Sequence, residues 1–167
     1  MSEDIVSRIA REASQAWPGC EDSSLQVVLS IVRAFHFINQ ELVRGQLEYG
    51  ISPPECGVLI ELRLAGPPYK MTPTQLYNRL LVTSGGMTGR IDRLEKLGLL
   101  CRSPDPQDRR SILVQLTENG HKVIQAAGHT HFRIMERLAG GLTPEERQCL
   151  AGLLRKLLFD IESSCGQ

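Results

Sequence analysis

The segment Leu81-Val82-Thr83-Ser84-Gly85-Gly86-Met87-Thr88-Gly89-Arg90-Ile91-Asp92-Arg93-Leu94-Glu95-Lys96-Leu97-Gly98 decides the fold. Met87, Ile91, Leu94 and Leu97 recur at helical spacing and make one apolar stripe, while Arg90 and Arg93 point elsewhere. Gly98 is the stop. Just upstream, Thr72-Pro73-Thr74-Gln75 joins a hydroxyl cap, a proline at the first helical position and a glutamine able to reach back to the cap N–H. A helix therefore runs from Thr72 to about Leu81, and Val82 to Gly86 turn the chain into the second helix. Downstream, Leu99-Leu100-Cys101-Arg102, the turn Pro104-Asp105-Pro106-Gln107-Asp108-Arg109 and the alternating Ile112, Val114 and Leu116 predict two short strands joined as a hairpin.

The same start signal recurs at Ser52-Pro53-Pro54-Glu55 and Thr143-Pro144-Glu145-Glu146. Before Ser52, Leu25, Val28, Leu29, Val32, Phe35, Ile38 and Leu42 outline an amphipathic helix of roughly seven turns. Ile5, Ile9 and Ala13 suggest a shorter helix ahead of it, and Trp17-Pro18-Gly19 separates the two. After Thr117, two helices fill the rest, roughly Glu118 to Leu138 and Pro144 to Ser163. The predicted fold class is mainly α with a small β-wing.

Helix, turn, helix and ribbon, in that order, are the parts of a winged helix, whose second helix enters a DNA major groove while the ribbon tip follows the backbone. The residue chemistry suits that geometry. Thr83, Ser84 and Thr88 can donate to phosphate oxygens, and a helix N-terminus favours an anion. Gly85, Gly86 and Gly89 lack a Cβ and let backbone approach a duplex; Arg90 and Arg93 are long enough for phosphates or guanine edges. On the wing, Asp108, Arg109, Arg110 and Ser111 could place a guanidinium in the minor groove, with the aspartate orienting it. Taken singly, each feature also fits a tight turn or a solvated face; their conjunction in this order is what carries the reading. A nucleotide-cradling reading of Gly85-Gly86-x-x-Gly89 is weak, since no Lys-Ser/Thr follows and helix, not strand, precedes it.

Charge distribution agrees. The 167-residue chain has no formal net charge, yet between Arg63 and Leu113 nine basic residues face four acids, and the remainder is acidic by the same margin. A basic middle with acidic ends suggests a polyanion partner for the middle alone; a chance cluster on a solvated surface is the competing account. Five scattered cysteines, Cys20, Cys56, Cys101, Cys149 and Cys165, form neither a zinc ribbon nor a disulfide framework. No metal or cofactor is expected, and neither paired carboxylates nor a nucleophile with its base suggests an enzyme. The apolar runs fall far short of the ~20 residues that span a bilayer, and the acidic start is unlike a secretory leader, so no membrane partner and a cytoplasmic location are expected.

The run from Leu81 to Glu95 with Leu97-Gly98-Leu99, then Asp105-Pro106-x-Asp108-Arg109-Arg110-Ser111, then Leu116-Thr117-x-x-Gly120, resembles the MarR family of bacterial transcription regulators. The resemblance implies a homodimer on a pseudo-palindromic operator in double-stranded DNA, located at the nucleoid, with the second helix of the motif in the major groove. It further implies that the arginine matching Arg110 enters the minor groove, paired with the aspartate matching Asp108. Residues 1–50 then supply N-terminal dimerisation helices, 51–117 the winged lobe and 118–167 C-terminal dimerisation helices. Independently of the family, the apolar faces of the outer helices are broader than one small lobe can cover, which itself asks for a partner copy.

Within the family the chain is similar to the urate-responsive branch, which implies release by a small anionic or aromatic ligand in a pocket where Trp17 and Arg90 match branch residues. It departs from that branch at Gly57, where an aspartate would orient an arginine. A thiol switch at Cys20 lacks the flanking pattern of the peroxide-sensing branch. The alternative function is a winged-helix module that binds protein without specific DNA binding. The two separate on one variant: Arg110→Ala is expected to weaken duplex binding about equally on all sequences and lower the log–log salt slope by about one, measured by titration at several salt concentrations.

Overall fold

The computed structural model describes residues 4–80, 84–108 and 111–165. Along them run α1 (Ile5–Ala16), α2 (Asp22–Gln46), a 3-10 turn (Leu47–Tyr49), α3 (Pro53–Leu64), β1 (Lys70–Met71), α4 (Pro73–Arg79), α5 (Ser84–Lys96), β2 (Leu100–Pro104), β3 (Ile112–Leu116), α6 (Glu118–Leu138) and α7 (Pro144–Cys165). The chain divides into two compact units, 1–131 and 132–167, and α6 runs through the junction. Among the described residues no helix is long and apolar enough to cross a membrane, and no group of His, Cys, Asp or Glu could hold a metal ion.

The helix starts follow the predicted chemistry. Thr72 donates its N–H to Gln75 Oε1 at 2.8 Å and its Oγ1 accepts from Gln75 N–H at 3.1 Å. Thr143 and Glu146 repeat the exchange at 2.8 and 3.2 Å, and Glu55 accepts from the N–H and the hydroxyl of Ser52 at 2.7 and 2.8 Å. A good cap contributes about 1 kcal/mol. Asp4 caps α1 by accepting from Val6 and Ser7 N–H.

The sheet has the order β1-β3-β2, all antiparallel, with Met71 opposite Val114, Leu100 opposite Leu116 and Pro104 opposite Ile112. The hairpin was expected; β1 is an addition, because a two-residue strand carries no periodicity to read. The core of the first unit sits between the sheet and α3, α4 and α5. Leu59 and Leu62 of α3, Leu76 of α4, and Met87, Ile91 and Leu94 of α5 are buried there against Leu100 and Val114. At one edge, the Gln46 side-chain amide lies 2.9 Å from His131 Nδ1, and Tyr49 and Thr130 hydroxyls meet at 3.0 Å, tying the end of α2 to α6. Burial holds His131 below the ordinary histidine pKa.

Outside that core lie wide apolar faces. On α2, Val28, Val32 and Phe35 are more than half exposed, and on α7 so are Leu153 and Phe159, the last at 71%.

One short segment locks the recognition helix to the wing. Gly98 takes φ +69° after α5, a conformation that favours glycine, and its carbonyl accepts the Thr117 hydroxyl at 2.7 Å. Thr117 N–H donates to Leu99 O at 3.1 Å, and Gly120 N–H donates to Thr117 Oγ1 at 2.9 Å, capping α6. Gly120 thereby presses on the chain, since a Cβ added to it would lie 2.0 Å from Leu99 O. Gly120→Ala must push α6 away from that carbonyl, and a loss of about 1–3 kcal/mol is expected in denaturant unfolding, against no loss for Gly85→Ala, whose Cβ would meet open space.

Candidate nucleic-acid interface

In the second helix of the motif, burying Met87, Ile91 and Leu94 turns Gly85, Thr88 and Gly89 outward. A Cβ at Gly85 or Gly89 would find nothing within 4 Å, so the outer face of α5 begins as a bare backbone ridge. Gly85 and Gly86 were expected in the turn; instead they belong to the first helical turn, and the break in the chain comes earlier, after Arg79. The first N–H groups of a helix have no partner within the helix itself, so this end of α5 directs backbone donors along its axis rather than into its own carbonyls. Ser84 opens this helix, while Thr83 lies outside the described residues.

The basic residues divide into two groups. Arg93 is paired although half exposed: its guanidinium lies 2.5 Å from Glu55 Oε2 and 2.7 Å from Oε1, and it also donates to Gly50 O at 3.3 Å. Arg79 pairs with Glu61 at 2.5 Å, and Arg102 of β2 bonds Asp92 and Glu95 of α5. Arg63 lies over the Tyr69 ring and donates to Gln125. Among the described residues, Arg90, Lys70 and Lys96 have no side-chain partner. The sequence reading gave Arg90 and Arg93 the same task; the structure gives Arg93 a carboxylate and leaves Arg90 without one.

Glu55 is the residue that sequence reasoning undervalued. It was read as a cap partner only, and the arginine it holds lies 38 positions away with no periodicity connecting them. Its side chain is 5% exposed. Burial alone would raise its pKa, but the Ser52 N–H, the Arg93 guanidinium and the Ser52 hydroxyl outweigh burial and hold it below the ordinary glutamate range.

On the wing, Gln107 N–H donates to Asp105 Oδ1, Asp105 N–H to Ser111 O, and Ser111 N–H to Asp108 O, which folds the tip. Arg109 and Arg110 lie outside the described residues, so the expected Asp108–Arg110 pair does too. Trp17 follows α1 and is 67% exposed. A cleft of about 500 Å³ is lined by Val43, Leu47, Ile51, Pro53, Glu55 and Arg93, with Gly50 and Ser52 completing it; neither Trp17 nor Arg90 reaches it. Burial pushes the Cys56 thiol up to about 12, and Cys20, Cys101 and Cys149 are exposed and in no disulfide among the described residues.

The Glu55–Arg93 pair sets a pH signature. A carboxyl depressed in the folded state stabilises fully above the unfolded glutamate value of about 4.3 and loses that contribution as pH falls through the folded value. Arg93→Ala is expected to cost about 1–2 kcal/mol at neutral pH, moderated because the guanidinium is half exposed, and the deficit should shrink in unfolding curves taken at acid pH.

Comparison with known proteins places this geometry. A family model described as the MarR family matches residues 49–111. A Bacillus subtilis relative, the HTH-type transcriptional regulator YkoM, is 37% identical over 74% of this chain and 79% of its own. Sco3205, a MarR family transcriptional regulator of Streptomyces coelicolor solved in complex with DNA, superposes with a TM-score of 0.76 at 25% identity, over 85% of this chain and 90% of that one. BpsR of Bordetella bronchiseptica, solved in a study of how 6-hydroxynicotinic acid regulates its DNA binding, superposes with a TM-score of 0.70 at 28% identity, over 79% and 98%. With a winged lobe of this construction and relatives of this similarity, the chain belongs to the MarR family of transcriptional regulators.

Proposed function

We propose that the chain is a homodimeric repressor that grips a pseudo-palindromic duplex with two winged lobes and is released by a small planar anionic or aromatic ligand. The observation that carries the DNA reading is the outer face of α5: a bare Gly85–Gly89 ridge with the unpartnered Arg90 beyond its flank. Backbone donors at the helix start suit phosphates, and the arginine suits a phosphate or a guanine edge. In this reading Thr83, Ser84, Gly85, Gly86, Thr88, Gly89 and Arg90 meet the duplex, and Asp108, Arg109, Arg110 and Ser111 serve the wing. Arg93 acts through Glu55 to set the angle of α5.

Dimerisation falls to residues 1–50 and 118–167, with 51–117 as the reading lobe. The exposed apolar faces of α2 and α7 support it, since hydrocarbon of that extent is rarely left to solvent. For the effector, the cleft beside Glu55 and Arg93 is a better seat than the Trp17–Arg90 pairing. An anionic ligand there competes with Glu55 for the Arg93 guanidinium, so its binding energy is spent on loosening α5. What BpsR does with 6-hydroxynicotinic acid makes a heteroaromatic carboxylate a reasonable first probe, alongside urate.

A gel shift of the full chain on its own upstream DNA, with excess unrelated duplex, tests both halves. A specific shift that weakens steeply with salt is expected, and 6-hydroxynicotinate or urate should release it. Absence of any specific shift, there and in a randomised-duplex selection, would move the assignment to a protein-binding module.

A further inference from the structure

Gly85 and Gly89 bring no side chains to the middle of the outer face of α5, so base discrimination has to come from the margins of that face. At 3.6 residues per turn, Arg90 and Arg93 fall to one side of the Gly85–Gly89 line and Thr88 to the other. On the Thr88 side, the helices of the motif leave a notch of about 160 Å³ between them, lined by Pro73, Thr74 and Tyr77 of α4 and by Met87 and Thr88 of α5. Met87 is 2% exposed and belongs to the core, whereas Tyr77 is 42% exposed, a large ring kept at the surface.

From this geometry we infer that the notch between α4 and α5 receives the 5-methyl group of a thymine, making Tyr77 and Thr88 specificity-determining residues. The inference rests on the DNA-binding reading and deepens it. Size argues first: the notch is well below the ~300 Å³ at which small-molecule pockets begin, yet it admits a methyl. Chemistry argues next. A proline ring, a tyrosine ring, a methionine and threonine methyls offer hydrocarbon, and the thymine methyl is the apolar group that a base edge presents in the major groove. Position argues last, because the notch adjoins the bare ridge where the duplex can come closest.

The test uses the full chain and a duplex that it enriches from a random pool, resynthesised with deoxyuridine replacing thymidine at one position at a time. Removing the seated methyl should weaken binding about fourfold per half-site, while most other replacements change little. That penalty should disappear in Tyr77→Ala, shrink in Thr88→Ser, which keeps the hydroxyl, and persist in Tyr77→Phe. If no thymidine is sensitive, or the penalty is unchanged in Tyr77→Ala, the methyl seat is refuted while the regulator reading stands. If Tyr77→Phe alone weakens binding on every sequence and lowers the salt slope, the notch holds a phosphate contact and the inference fails. A chain that enriches no duplex at all overturns the regulator reading, and this inference with it.

Discussion

A carboxylate removed from water has to be answered by donors, and Glu55 is answered by the N–H and hydroxyl of Ser52 and by the guanidinium of Arg93. That requirement fixes two things at once. It sets the first turn of α3, and it anchors the second half of α5 to it. Arg102 of β2, bonded to Asp92 and Glu95, holds the other side of the same helix against the wing. With Met87, Ile91 and Leu94 buried beneath, α5 cannot roll without either exposing its apolar stripe or stranding the buried carboxylate. The direction in which Gly85, Thr88 and Gly89 face is thus decided by residues that sit elsewhere in the lobe.

The same economy explains where the basic surplus of the central window goes. Arg79, Arg93 and Arg102 are occupied with acids of neighbouring elements, so much of the charge that suggests a polyanion partner is structural. Fewer cations remain for a ligand, and of those Arg90 is carried on a helix whose orientation the paired arginines fix. An arginine held for positioning and an arginine left for binding look alike in a sequence; only the location of the carboxylates separates them.

What was legible came from local rules. Ser52, Thr72 and Thr143 announce three helices because a cap and its partner lie three residues apart, and Gly98 announces an end because few residues tolerate its backbone conformation. The apolar stripe of α5 was readable for the same reason. Its first turn was not, since glycines at a helix start resemble a loop when nothing but composition is available. Strand β1 is too short to carry a pattern. The role of Glu55 depends on Arg93, far off in the chain, and the cleft beside them depends on how α2 ends over α3; neither leaves a trace in residue spacing. Trp17 and Arg90, matched by resemblance to a pocket, are not among the residues that line that cleft.

The glycines of α5 carry one more consequence. Each costs about 1 kcal/mol of helix stability relative to alanine, and three of them fall within the first six residues. The half of the helix that would touch a duplex is therefore intrinsically weak, while the half clamped by Glu55 and Arg102 is not. Such an end becomes fully ordered at the expense of contact energy, which trims affinity without trimming fit. For a DNA-binding regulator a trimmed affinity is a useful setting, because a differential of only a few kcal/mol is then enough to tip a two-state balance.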